Sequence, residues 1–519
     1  MKRLLIFVIV MGAAFHCHAQ DNDDFESFRS GLMDGFQSFR QEVLTGYTDF
    51  LRTAWEDFNV FRSESRDSKP KPRTAPTVES PSPQPTTPEP PANHPTPAAT
   101  PPAPGPAPAV HNNITLDFYG TRLMLPALKV VALRSSDNNG VADFWQALDS
   151  QGLGSKTGNA LKEIAERHRF NDWMMLKLVE TYVANQLSTA SADTRIAMRQ
   201  YLLCHTGYDV RVAQNDGCLA LLVPYSTTIY SSSYIDVDGK RFTLVFDAKS
   251  GRTTACGSVR TYRLPGERNA GGLIDPVFRQ APRVTESMVS VKLTDKKTSV
   301  ACNVNANLAK LLYDYPQIPL IEYSRSSLQP SFRKELTSQL RQTTAGMTPE
   351  AAVGTLLNLV QHAFKYATDQ EQFGFEKPLF PEESAIYGIN DCEDRALLFS
   401  MLIRQVTGLD CLLVEYPGHV ACAVRLSEYQ GNGTCYSFEG HRYVLADPTF
   451  VGAKIGMCMP AYRGSHPKLS KLDLCTPPQK KVASHTRDAT FFYFFCNCLI
   501  IRHNRYQIGK LLCRILHRL

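Results

Sequence analysis

Three short stretches decide how this chain is read: Asn390-Asp391-Cys392-Glu393-Asp394-Arg395, Pro417-Gly418-His419-Val420-Ala421 and Ala446-Asp447-Pro448-Thr449. The first runs into Ala396-Leu397-Leu398-Phe399-Ser400-Met401-Leu402-Ile403, which is apolar at helical spacing. Asn390 or Asp391 is the expected N-cap, so Cys392 falls in the first turn. There the helix dipole favours a thiolate, the form that attacks. Gly408 is expected to stop the helix, residues 410–416 to form a strand, and Gly418 to turn the chain tightly before His419 opens the next strand. Beyond a polar hairpin at 431–433, Tyr436-Ser437-Phe438 and Tyr443-Val444-Leu445 are expected to pair and to leave Asp447 at a strand end. Covalent catalysis needs a nucleophile within reach of a base that an acid holds in place. Taken singly, each residue has a blander reading. Cysteines are often buried apolar groups, as expected for Cys411, Cys422 and Cys435. A strand histidine is often simply hydrogen-bonded, and Asp before Pro often starts a turn. Order and element context favour catalysis, with Cys392 as nucleophile, His419 as base and Asp447 as orienter.

Working outward, residues 349–460 resemble the transglutaminase-like superfamily, a papain-like cysteine fold. The resemblance rests on Tyr366 near the end of the preceding helix, Cys392 at a helix start, His419 on a strand and Asp447-Pro448-Thr449 at a strand end. Gln372-Phe373-Gly374-Phe375-Glu376, Asp391–Arg395 and Tyr416–His419 are more closely similar to a group of exported bacterial transglutaminase-like proteins. The resemblance implies a Cys-His-Asp triad acting on peptide or isopeptide amides by acyl transfer, with no cofactor. It also implies the backbone N–H of Cys392 as first oxyanion donor. Two departures from the family pattern touch the substrate channel and oxyanion hole: Asn390 stands where Gly usually precedes the x-Cys pair, and no Trp closely follows His419.

The strand region 206–247 overlays 407–448 without a gap at a constant shift, Gly207 falling on Gly408 and Gly217 on Gly418. Arg241 likewise falls on Arg442, but Cys218 stands for His419, Phe246 for Asp447 and Ser191 for Cys392. This predicts a degenerate transglutaminase-like domain over 111–250, used for packing or recognition. Residues 141–205 read as helices and 208–247 as strands, with turns at Asn215-Asp216-Gly217 and Asp238-Gly239. Residues 251–340 read as a β-rich connector. Residues 341–475 read as the catalytic domain, its first helix opening at Pro349 behind Thr348.

Lys2 and Arg3, the apolar run 4–15 and Cys17-His18-Ala19 read as a secretory signal over 1–19, so the mature chain is expected to be exported. Residues 20–66 carry aromatic pairs at an 11-residue interval, from Phe25/Phe28 to Phe58/Phe61, which predicts one long amphipathic helix. Its aromatic stripe suits self-association or back-packing, or else attachment to an envelope partner or surface. Residues 67–110 are Pro-rich and predict an extended spacer. In the tail 476–519, Phe491–Phe495 precede a basic stretch that suits interfacial attachment or a non-native extension equally well. Lys480, Lys481, Arg487, Arg502, Arg505, Lys510, Arg514 and Arg518 lie there with one acid, Asp488; they account for the formal +6 of the 519 residues, and no nucleic-acid face is expected. Fourteen cysteines suit an oxidising compartment. No C-x-x-C is present and Cys496/Cys498 has no partner pair, so no metal site is expected.

The expected fold is therefore α+β, a papain-like domain behind an upstream copy, a linker and a helix. The expected function is an exported cysteine hydrolase or acyltransferase with a peptide or protein substrate. The competing expectation is a non-catalytic envelope scaffold with a vestigial triad.

Overall fold

The structure is a computed structural model and describes residues 47–67, 69–78, 113–129, 131–255, 257–264 and 272–472. The expected signal segment, most of the aromatic repeat, the linker beyond Val78 and the tail 476–519 lie outside them.

Helix α1 (Tyr47–Leu51) is short, and strands β1 (Glu56–Asn59) and β2 (Phe61–Arg62) follow it. The single helix expected over 20–66 therefore does not continue past Leu51. Aromatic side chains at three- and four-residue spacing need an apolar partner along their whole length. Here Tyr47 finds one at once, stacking on Trp145 at 4.6 Å. Downstream of it, sheet edges offer the backbone partners that a helix would otherwise supply. Val60 N–H donates to the Gly257 carbonyl and Ser63 N–H to the Ser232 carbonyl, both at 2.9 Å.

A hairpin, β3 (Asn113–Phe118) and β4 (Thr121–Pro126), leads to four helices: α2 (Asn138–Asp149), α3 (Leu153–His168), α4 (Asp172–Gln186) and α5 (Ala192–Thr206). The side chains of Asp137, Asn171 and Ser191 cap α2, α4 and α5 by accepting backbone N–H groups three residues on. Strands β5 (Arg211–Asn215), β6 (Cys218–Val223), β7 (Ser233–Val237), β8 (Lys240–Val245) and β9 (Ser258–Thr261) then build a seven-stranded sheet in the order β1-β9-β5-β6-β8-β7-β2. Strands β1 and β2 are neighbours in sequence yet lie at opposite ends of that order. The sheet therefore curls until residues 56–62 bridge its two ends, pairing with β9 on one side and with the start of β7 on the other.

The expected β-rich connector is only partly so. After β10 (Met288–Thr294) and β11 (Ser299–Asn305) the chain turns helical, with α6 (Ala306–Leu311), α7 (Leu320–Arg325) and α8 (Pro330–Thr343). These helices bury Leu308, Tyr323, Phe332 and Leu336, which supplies the apolar contact that a two-stranded hairpin lacks. Next come α9 (Pro349–Ala363), α10 (Asp369–Gln372), α11 (Pro381–Tyr387) and α12 (Cys392–Leu402). A π turn at Ile403–Thr407 extends α12 to Gly408, whose left-handed φ of 73° ends it. The second sheet has five strands, β12 (Cys411–Tyr416), β13 (His419–Val424), β14 (Cys435–Phe438), β15 (His441–Ala446) and β16 (Lys468–Lys471), in the order β14-β15-β13-β12-β16.

The architecture is mixed α+β. Its main apolar core is continuous from Tyr47 to Leu472, and aromatic pairs such as Phe278–Phe380 at 6.1 Å join upstream and downstream halves. Within it the two sheets share a four-strand unit. Leu221 pairs with Val245 across β6 and β8, and Cys422 with Ala446 across β13 and β15. Both residues are displaced by the same interval as the aligned sequences.

Candidate active site

Asp447 follows the last residue of β15, where Pro448 cannot continue a sheet ladder. Its Oδ1 accepts the backbone N–H of Thr449 (3.0 Å) and of Phe450 (3.1 Å), which locks the carboxylate in a turn. Its Oδ2 is thereby aimed at His419 Nε2, 2.8 Å away. His419 opens β13, and both side chains are buried. The other ring nitrogen, Nδ1, is buried without a hydrogen-bond partner among the described residues. Tyr462 stacks flat on the imidazole, with centroids 5.3 Å apart and planes within 13°.

Cys392 begins α12, as its place behind Asp391 requires, and is 1% exposed. Helix α12 packs along β13, and the Cys422 thiol of that strand donates to the Ala396 carbonyl at 3.3 Å. The structure thus brings His419 and Asp447 into direct contact and sets Cys392 at the head of the helix packed on their sheet. The Cys392 thiol itself donates to Glu393 Oε2 at 3.1 Å. Burial pushes this thiol up, and the charges of Glu393 and Asp391 push it further. The helix dipole invoked for a resting thiolate is outweighed, because a thiolate here would be dry and beside carboxylates.

The acids around the thiol are the residues that sequence reasoning missed. Asp67, Asp369, Glu376, Asp391, Glu393 and Asp394 converge, and two cations from the amino-terminal side neutralise part of that charge. Lys71 Nζ lies 2.7 Å from Asp391, 2.8 Å from Glu376 and 3.5 Å from both Asp67 and Asp369, and it also bonds Glu393. Arg66 pairs with Glu393 and, at 2.8 Å, with Asp67. Burial would lower the Lys71 ammonium, but its carboxylate partners overcome this and hold it well above the ordinary lysine range. Burial would likewise raise Glu393, yet Arg66 and Lys71 hold it below the usual carboxylate range. Asp369, Asp391 and Asp394 are pushed well up by burial and by the neighbouring charges of one another and of Glu393. Several of these groups could ligate a metal by proximity, and the Lys71 ammonium occupies their centre.

Lys71 belongs to the stretch expected to be a free spacer, which instead crosses the site. Pro70 and Pro72 pre-set extended backbone on either side of Lys71, and the chain bends at Lys69 and again at Arg73 and Thr74. Tyr366 Oη donates to the Pro72 carbonyl at 2.8 Å. Val451 N–H donates to the Pro76 carbonyl at 2.8 Å, and Val78 N–H to the Val451 carbonyl at 3.1 Å. At Gly418, whose φ is 77°, a Cβ would stand 2.9 Å from the Lys69 carbonyl oxygen. The strap therefore runs over the turn before His419, the head of α12 and the loop after Asp447.

Two further side chains brace the site. Gln361 Nε2 donates to the carbonyls of Asp447, Phe450 and Ala453, at 3.0, 2.9 and 3.1 Å. Arg395 donates to the carbonyls of Gln361, Phe364 and Lys365, tying α12 to the end of α9. No protein-family model matches the sequence, and comparison with curated proteins finds no match either.

Proposed function

We propose that the chain is a cysteine hydrolase or acyltransferase of the transglutaminase-like kind, acting on peptide or isopeptide amides, with hydrolysis favoured. The observation that carries this is the buried His419–Asp447 pair, whose free Nδ1 lies on the strand packed against the helix that starts at Cys392. In this mechanism Nδ1 takes the thiol proton as sulfur adds to the amide carbonyl. Asp447 holds Nε2–H and stabilises the imidazolium. The imidazolium returns the proton to the departing amine, leaving a thioester on Cys392. Water attacks the thioester, gives one proton through His419 to sulfur and releases the acid. An amine in place of water would give transamidation.

The same proposal takes the downstream half as papain-like and the four-strand unit at 211–245 as its degenerate copy, since strand order and register coincide while Cys218, Phe246 and Ser191 replace the triad. Export rests on the sequence of residues 1–19 alone. The competing scaffold reading draws on the protonated, covered thiol. Iodoacetamide alkylation of Cys392, followed by mass spectrometry, separates the two. The rate should fall at least tenfold in His419→Ala; equal rates in wild type and variant would overturn the catalytic proposal.

A further inference from the structure

Five carboxyl groups lie within 3.5 Å of one ammonium at Lys71, whose side chain is only 2% exposed. The backbone carrying that ammonium is bonded to Tyr366 and to Val451 in the loop after Asp447, and it passes closely over Gly418 in the turn before His419. Glu393 holds the thiol with one oxygen and the ammonium with the other. We infer that the pocket of Asp369, Glu376, Asp391 and Glu393 is a lysine side-chain subsite for an extended peptide, and that residues 69–78 are the chain's own occupant of it. This rests on Cys392 being the nucleophile.

The chemistry of the pocket selects the ligand. Its oxygens surround a point, which suits a compact ammonium with three donors better than a planar guanidinium. An uncharged side chain of equal length would leave buried carboxylates unpaired. The main-chain contacts to Tyr366 and Val451 are made by the Pro72 and Pro76 carbonyls and the Val78 N–H, so they read backbone shape rather than sequence. Pro70 and Pro72 pre-set that shape in the occupant and reduce the entropy lost on docking. With the strap in place, no external peptide reaches Cys392.

The test uses the full-length chain with Lys71→Met, which vacates the pocket, and a fluorescein-labelled peptide of residues 66–78, with and without norleucine for lysine 71. Fluorescence anisotropy should show the lysine peptide binding Lys71→Met at least tenfold more tightly than wild type. The norleucine peptide should lose at least tenfold, and an arginine version should fall between. Equal binding of lysine and norleucine peptides, or no gain over wild type, overturns the subsite. Should Lys71→Met fail to fold by circular dichroism, Val78→Pro serves instead. It removes the exposed outer anchor and leaves the pocket intact, and the same lysine-over-norleucine preference is required. Lysine preference with alkylation indifferent to His419 would sink the catalytic proposal alone. Alkylation dependent on His419 without lysine preference would sink the subsite alone.

Discussion

In the upstream sheet, β6 opens at Cys218 and β8 ends before Phe246; in the downstream sheet, β13 opens at His419 and β15 ends before Asp447. Strand order and register agree, and each unit packs a helix against the strand opening at the variable residue. What differs is the space between helix start and strand ends. Upstream, Ser191 uses its hydroxyl to accept the Thr194 N–H, while Arg195 and Arg199 lie 3.1 and 3.3 Å from the buried Asp247. Downstream, the same space holds a thiol, an imidazole and a carboxylate. Both frames place ion pairs near the helix start, but only the downstream one sets a thiol there and a buried imidazole–carboxylate pair at its strand ends.

The largest effect that sharpens this contrast is on stability. Arg211 is wholly buried, 3.1 Å from Asp209 and over the Phe242 ring, so Arg211→Ala opens a cavity and leaves the buried Asp209 with Lys240, 2.6 Å away, as its cation. It should cost about 3–5 kcal/mol, read as a fall in denaturant midpoint. Second, His419→Ala should slow Cys392 alkylation about 100-fold, whereas Cys218→Ala, its upstream counterpart, should leave the rate within experimental scatter. A comparable loss from Cys218→Ala would break the comparison.

Third, the raised Cys392 thiol should make the alkylation rate climb beyond pH 9 in wild type, since only thiolate reacts. Glu393→Gln removes a charge that opposes thiolate, so the profile should move to lower pH, by about tenfold in rate at pH 8 if one unit is lost. An unmoved profile would show that Glu393 does not govern the thiol. Fourth, burial, reinforced by Glu393, pushes Asp67 up to about 6. A raised carboxyl adds stability that is full below its ordinary range and lost as pH rises through the folded value. Asp67→Asn should therefore flatten the fall in melting temperature between about pH 4 and pH 6. The smallest effect concerns Asp410, the downstream counterpart of Asp209. It pairs with Arg425 at 3.3 Å with both side chains well exposed, so Asp410→Asn should cost less than about 1 kcal/mol by chemical denaturation.

The pieces legible in the sequence are those with local causes. Thr348 before Pro349, Gly408 after an apolar helix, Gly418 between two strands and Asp447 before Pro448 each act within a few residues, and each element lies where they place it. The bridge across the first sheet and the strap have distant causes. Phe58 and Phe61 keep helical spacing, but a sheet edge some 200 residues later decides their conformation. Lys69-Pro70-Lys71-Pro72 has a spacer's composition; only the carboxylates of 369–393 draw Lys71 out of solvent. The acidic cluster was hidden for the same reason, since Glu393 and Asp391 pass for helix-start residues until the cation between them is seen.

The bridge across the first sheet also fixes a local concentration. Arg62 is held in β2, and Lys71 follows nine residues later, a tether of at most about 30 Å when extended. A segment held so close to its pocket acts at an effective concentration on the order of millimolar. A free peptide of equal intrinsic affinity must therefore reach that concentration to take half of the pockets. Freeing residues 56–62 from the sheet, or cutting between Arg62 and Arg66, would leave only the longer tether that runs on to Asn113 and so lower that concentration, with every contact inside the pocket unchanged.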